Sequence, residues 1–313
     1  RSRETLGRRG ASPFCSGLSV FERFFIPDRC LWKLASAFGH ALRGGDMMSR
    51  VFRVLNIVFG LAGFALAVGY FLRLPWATAL WPWEDGRLSY IFISSIMAAI
   101  AAPILWIGLS GEFGAAAGGA INLGVTAAGA AVFLFQLYAG SGEAHLLPFA
   151  VGCAVFALFN VAILIWSLRQ PIRDTRPMPI PVKISFVVFA VVLTAVALAL
   201  LLQAPTIFPW PLDPRSSVLF GWIFMGAMTY FVYAVLRPSW HNTKGQLLGF
   251  LAYDLVLIVP YVQHFANVKP EHLLSLVIYL TVIVYSGLLA VYYLVVNRST
   301  RGRTAHNAAA AGR

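Results

Sequence analysis

Charge is scarce in this chain. Of its 313 residues only 12% are charged, against 59% hydrophobic. A soluble domain carries about a quarter charged residues, so water cannot be the solvent on every side. Cysteine is scarce too. Cys15, Cys30 and Cys153 are odd in number and irregularly spaced, which excludes a disulfide framework. Lysine is rarer still, four residues beside twenty arginines, and with abundant alanine this composition suggests a GC-rich bacterial genome. The short motifs of familiar chemistry are also missing. There is no phosphate-cradling GxxxxGK[ST], no GxSxG nucleophile elbow, and no HExxH or CxxCH context. Glu84 and Asp85 are adjacent, so they do not form the facing carboxylates of glycoside hydrolysis. No catalytic residue and no cofactor is expected, and an enzyme has no positive support.

What the chain does have is long apolar runs. A spanning helix needs about 20 mostly apolar residues. Candidates lie at 51–72, 90–109, 117–138, 147–168, 184–203, 217–236, 246–265 and 273–296. They are apolar all round, and longer than the alternating strands of about ten residues that build a barrel. Short connections rich in Pro, Gly, Asn and Asp separate them. The fold class is therefore all-α: a polytopic helical membrane protein with about eight transmembrane helices.

The net charge of +12 invites a nucleic-acid reading, but its distribution argues for a lipid bilayer as partner. Residues 1–46 carry net +4, and 297–313, with Arg298, Arg301, Arg303 and Arg313, another +4. Basic tails beside spans follow the positive-inside bias, and no groove-reading or base-stacking element accompanies them. Counting loops alternately, one side collects Arg50, Arg53, Arg169, Arg173, Arg176, Lys183, Arg237, Lys244 and the carboxy-terminal arginines. The other collects Arg73, Arg87, Arg215 and Lys269 with five acids. That asymmetry predicts both termini in the cytoplasm and a place in the plasma membrane. Trp76, Trp81, Trp83 and Trp210 at the outer face and Trp240 at the inner are expected as interfacial anchors.

Four segments follow. Residues 1–46 read as a basic extension, either disordered or upstream of a natural start at Met47-Met48. Leu31, Leu34, Phe38 and Leu42 beside Lys33, His40 and Arg43 would suit a short helix on the membrane surface. Residues 47–172 and 173–297 form two four-helix units, and 298–313 a basic cytoplasmic tail. The units come from a repeat. A shift of 127 residues lays 51–169 on 178–296 without a gap and carries every span onto a span. Trp81-Pro82-Trp83 falls on Phe208-Pro209-Trp210, Ser89 on Ser216, Gly118 on Gly245, Gln136 on Gln263, and His145-Leu146-Leu147 on His272-Leu273-Leu274. Four spans per unit is an even number, so the tandem repeats should have parallel orientation about a pseudo-two-fold axis along the membrane normal.

The stretch Phe208-Pro209-Trp210-Pro211-Leu212-Asp213-Pro214, followed by Gly221-Trp222, resembles a motif of uncharacterised bacterial multi-pass membrane proteins with a (W/F)-P-W loop after the first span of a four-helix repeat. The resemblance covers about 15 residues. It implies a membrane location and no assigned activity.

Polar residues inside spans are the functional candidates. Asp254 is the sharpest, near the midplane of the seventh span, where a carboxylate costs about 2.5–3.5 kcal/mol even on insertion scales. At 100° per residue, Gln246, Phe250, Asp254, Tyr261 and His264 share one stripe. With Tyr253 they suggest an ion or substrate path. The plainer alternative is a buried acid bonded to Tyr230, Tyr233 or Tyr285. The first repeat has Ala127 in place of Asp254, so the site is asymmetric. His145 and His272 could share a metal or haem if their helix starts met at the pseudo-axis; the plainer reading is interfacial helix-start residues, and no metal is expected. Gly114, Gly118, Gly119, Gly124 and Gly129 make the third span a packing surface, and Pro260 should disturb the seventh. The reading that follows is a secondary transporter or permease for an ion or small molecule. A non-catalytic subunit or assembly factor is the alternative, and an intramembrane lipid-modifying enzyme a second.

Overall fold

The computed structural model describes residues 47–301. The surface helix expected within 31–42, the rest of the extension 1–46, and residues 302–313 of the basic tail lie outside the described residues. Eight helices are long and apolar enough to cross a membrane. They are α1 Met47–Phe71, α2 Arg87–Ser110, α3 Ala116–Ser141, α4 Leu146–Ser167, α5 Ile180–Leu201, α6 Pro214–Leu236, α7 Trp240–His264 and α8 Pro270–Val291. A 3-10 turn, Phe113–Ala115, leads into α3, and a π turn, Tyr292–Val296, continues α8. Among the described residues there is no strand, only an isolated bridge between Pro177 and Ser239. The chain is thus an all-α, multi-pass integral membrane protein.

Local sequence sets the ends. Gly111 and Gly142 adopt φ of 73° and 72°, closing α2 and α3 in the left-handed conformation that glycine adopts without strain. Pro214 and Pro270 open α6 and α8 at the first helical position. Asp213 caps α6, its Oδ1 accepting from the Arg215 and Ser216 amides at 2.8 and 3.4 Å. One end departs clearly from the hydropathy expectation: α7 begins at Trp240, six residues before 246. The early turn is polar, yet His241, Asn242 and Thr243 are buried. Asn242 Nδ2 donates to the Arg237 carbonyl at 3.0 Å and Thr243 Oγ1 to the Ser239 carbonyl at 2.9 Å. Backbone partners let the helix run on where apolarity stops.

Sequential helices pack as antiparallel hairpins: α1 on α2, α3 on α4, α5 on α6, α7 on α8. Two further pairs cross between the halves, α3 on α6 and α2 on α7. Moved by 127 residues, each of these pairs lands on another of them. The most buried span is α2, with half of its apolar window enclosed, against 11% for α4. So α2, α3, α6 and α7 make the interior, and α1 and α4 lean on it from outside.

Glycine permits the α3–α6 crossing. A Cβ on Gly129 would lie 1.9 Å from the Trp222 indole, and one on Gly118 2.9 Å from the Tyr230 ring. Gly226 is tighter in kind, because a Cβ there would meet the Asn122 carbonyl at 2.4 Å. Gly114, by contrast, lies in the 3-10 turn against the backbone of Gln170, so the apparent GxxxG of 114 and 118 is not one helical face. On α2, Pro103 denies the Ala99 carbonyl its usual amide. Gly249 of α7 sits over that carbonyl, its Cβ position only 3.1 Å away. Pro260 does not break α7, which is helical through to His264.

The tryptophans correct an expectation. Trp76 is exposed, as an interfacial anchor should be, but Trp83, Trp210 and Trp240 are buried. Trp83 Nε1 donates to Ser216 Oγ at 2.7 Å, and Trp210 Nε1 to Ser89 Oγ at 3.1 Å. Each bond joins the loop of one half to a helix of the other. An indole N–H needs a partner once it leaves water, and here the partner serine lies in the opposite half.

Gly226→Ala should lower stability by about 1–3 kcal/mol, because backbone cannot retreat from the new methyl. Gly119 has open space at its Cβ position, so Gly119→Ala should be neutral or slightly stabilising. Thermal unfolding in mild detergent checks both, and equal losses would remove this account of the crossing.

Candidate functional site

Asp254 stands fourteen residues after the start of α7 and ten before its end. At 1.5 Å per residue it is about 21 and 15 Å from the two ends, near the middle of the span. It is 5% exposed. Its partner comes from α8: Ser286 Oγ lies 2.9 Å from Oδ2 and 3.1 Å from Oδ1. The same hydroxyl is 2.8 Å from the Val282 carbonyl on its own helix. Gly287 lets the carboxylate close in, since a Cβ there would be 3.3 Å from Oδ2. Among the described residues no salt bridge involves Asp254.

The three tyrosines expected as partners do not bond to it. The Tyr230 hydroxyl donates to the Asn242 carbonyl at 2.8 Å. Tyr285 pairs with Ser185 Oγ of α5 at 2.6 Å. Tyr233 makes no hydrogen bond to the carboxylate. Ser286 went unnoticed in the sequence because serine in a span is unremarkable alone. The signal available was register, since α7 and α8 are an antiparallel hairpin with a short connection, and that places Ser286 at the level of Asp254.

The remaining stripe residues divide. Tyr261 is wholly buried, its ring centroid 5.9 Å from that of Tyr279 on α8 and 6.0 Å from that of Trp210. Neither the Tyr261 nor the Tyr279 hydroxyl has a hydrogen-bond partner in the protein. Half-buried Tyr253 lies against Phe92 of α2 and within electrostatic reach of Tyr261, Tyr279 and Asp254. Phe250 turns to an aromatic cluster with Phe189 and Phe231. Gln246 is half-buried and makes no hydrogen bond to the acid. His264 is engaged elsewhere, its Nε2 2.8 Å from the Pro209 carbonyl. The structure therefore gathers Asp254, Tyr253 and Tyr261, adds Ser286 and Tyr279, and leaves Gln246 and His264 at the two ends.

The duplicated histidines sit in unlike surroundings. His145 is half exposed, with Nε2 3.6 Å from the Glu143 carboxylate. His272 is buried, with Nδ1 2.8 Å from the Phe208 carbonyl. His264 and His272 thus hold consecutive carbonyls of the second Pro-Trp loop. No group of three metal-ligating side chains occurs among the described residues.

Two clefts open sideways between helices. One, of about 440 Å³, is lined by Phe64, Phe71, Ala98, Leu248 and Leu255 of α1, α2 and α7. The other, of about 450 Å³, lies between α5 and α8, with Ser185, Val192, Thr281 and Tyr285 in its wall. Asp254 lines neither.

The face that carries the chain ends holds a separate polar cluster. Arg176 grips Asp174 with Nε and one terminal nitrogen, at 2.8 and 2.6 Å, and donates to the Ser299 and Thr300 carbonyls at 3.0 and 3.2 Å. Its guanidinium lies 5.8 Å from the Trp240 ring centroid. Burial pushes the Asp174 carboxyl up, but the hydrogen bond and charge of Arg176 outweigh it and hold Asp174 below the usual carboxylate value. Arg173 donates to the Ser110 carbonyl at 3.4 Å, placing positive charge on the carboxy-terminal end of α2.

Comparison of the chain with protein-family models, with curated proteins and with solved structures gives no match to any of them.

Two outcomes are expected. Ser286→Ala should cost about 1–3 kcal/mol in detergent unfolding, because it leaves a buried acid without its hydroxyl partner; an unchanged midpoint would mean that another group holds Asp254. The Asp174 contribution is present above the ordinary carboxylate range and is lost as pH falls through its lowered value. Acidification below pH of about 4 should therefore destabilise the protein, and Asp174→Asn should flatten that dependence.

Proposed function

We propose that this chain is a secondary transporter or permease of a bacterial plasma membrane, with both termini in the cytoplasm and Asp254 as its ion site. The observation that carries the reading is the buried acid in the middle of α7, which has a serine but no cation for a partner. An asparagine would fill the same space without the cost of a potentially charged group in hydrocarbon. A costly intramembrane acid is a functional candidate by default.

Two tandem four-helix units of parallel orientation are part of the proposal. The reciprocal Trp83–Ser216 and Trp210–Ser89 bonds support it, as does the reciprocal packing of α2 on α7 and α3 on α6. An arrangement with a pseudo-two-fold axis along the membrane normal is one that parallel-repeat transporters use. The acid then lies on a helix that touches both units, α8 of its own and α2 of the other. Rocking of one unit on the other changes what surrounds it. The basic loops on the side of the chain ends supply the orientation.

The test is charge movement in vesicles containing the purified protein. Imposed gradients of protons, sodium and potassium are applied in turn. Wild type should move charge under at least one gradient, and Asp254→Asn should reduce the rate by about tenfold or more. Vesicles no more permeable than protein-free ones, or an Asp254→Asn variant equal to wild type, would overturn the reading.

A further inference from the structure

The seam between α7 and α8 carries a second polar layer. Tyr261 is seven residues beyond Asp254 on α7, and Tyr279 seven residues before Ser286 on α8. Because the helices run antiparallel, Tyr261 faces Tyr279 two turns away from the Asp254–Ser286 pair, about 10 Å along the seam. Leu257 and Ile283, both fully buried, fill the layer between. Two hydroxyls without a partner inside one apolar layer are an expense the fold does not need, because phenylalanine would pack there equally well. A single water can bond to both and remove that expense. Side chains lean toward the amino end of their helix, so Tyr261 reaches back along α7 toward the acid. Tyr253 is within electrostatic reach of Tyr261, Tyr279 and Asp254.

The hydrogen count at the acid is the second observation. Ser286 has one proton, and three acceptors surround it: both Asp254 oxygens and the Val282 carbonyl. With Asp254 ionised, that single proton is shared between carboxylate and carbonyl. With Asp254 protonated, its O–H donates to Ser286 Oγ and Ser286 donates to Val282, so each group has one partner. A hard metal cation fits less well. Such ions take about six oxygen ligands or more, and Ser286 is the one side chain bonded to this carboxylate among the described residues. No cationic side chain faces it from α8, and α2 presents Phe92 beside Tyr253.

We propose that the ion held at Asp254 is a proton, and that Tyr261 and Tyr279 bind a water through which it exchanges with the face opposite the chain ends. In each exchange the hydroxyl chain accepts one proton and passes on another, ending unchanged, while the carboxylate gains or loses one. Only O–H bonds form and break. The purpose of the site rests on the transporter reading, but its chemistry can be measured without any flux.

The experiment is infrared spectroscopy of the full chain in lipid vesicles. At neutral pH a carboxylic-acid C=O band should be present, missing in Asp254→Asn and unmoved by added sodium or potassium. Its shift on transfer to heavy water should slow by about tenfold in Tyr261→Phe/Tyr279→Phe. Phenylalanine keeps the ring packing and removes only the unpaired hydroxyls, so the variant should be at least as stable as wild type; Tyr261→Phe alone is the second variant. A carboxylate signal that moves with sodium or potassium would overturn the proton assignment and leave transport standing. Exchange equally fast in the tyrosine variants would overturn the water path. Loss of charge movement with the acid band intact would strike the transporter reading alone.

Discussion

Hydrocarbon offers a polar group no water, so each one inside the spans is satisfied by protein or carries a cost. Most of the spans' hydroxyls and amides meet this locally. Asn56, Asn160, Ser185 and Thr194 donate to carbonyls one turn back on their own helices, at 2.7 to 2.8 Å. Others use the same need to join helices. Ser94 of α2 donates to the Ala67 carbonyl of α1, and Ser217 of α6 to the Leu200 carbonyl of α5. The two indoles of the Pro-Trp loops reach serines in the opposite half. Asp85 adds its carboxylate to one of these contacts, as acceptor from Ser216, which makes that side the stronger clasp. Asp254, Tyr261 and Tyr279 stand out because the same rule leaves them under-provided.

The two halves solve the same packing problem with different chemistry. In the first, α3 is slim: Gly118 and Gly129 admit Tyr230 and Trp222 from α6. In the second, α7 occupies the corresponding place with Tyr253 and Asp254, and it is α2 that narrows, with an exposed Ala99 carbonyl meeting Gly249. Where α7 has its acid, α3 has buried Ala127. Near that level α4 presents Asn160, buried and bonded to its own backbone, against Gly124. Polarity at mid-membrane therefore exists in both halves, but only in the second is it ionisable.

The architecture was legible because burial in lipid makes apolarity continuous along a span. Eight runs gave eight helices, and the one large boundary error, at α7, fell where polar residues found backbone partners. Asp254 was legible because an acid in such a run has no cheap explanation. Its surroundings were not. A helical stripe drawn on α7 alone puts Gln246 and Phe250 beside Asp254, yet Phe250 faces an aromatic cluster with α5 and α6 residues, and the partner Ser286 comes from α8. A single-helix projection carries no information about the neighbour. Trp83 and Trp210 were misplaced for a related reason: position in the chain puts them near the interface, but only the fold says whether an indole points outward or across to the other half.

The position of the acid within the bundle narrows what it can do. An acid on α1 or α4 would face lipid over most of its surroundings, and an acid deep in α2 would be enclosed by both halves at once. On α7 it lies at one seam, shared with α8, while the adjacent face of the same helix meets α2. Both flanks of that seam are apolar at the level of Leu257 and Ile283, so a charge entering there would be expelled, while a proton handed to the carboxylate adds no charge to the layer. A neutral loaded state and a costly unloaded one give the seam two conditions of unequal stability. In the two-unit reading proposed above, that inequality is what would bind the occupancy of Asp254 to the packing of α7 on its neighbours.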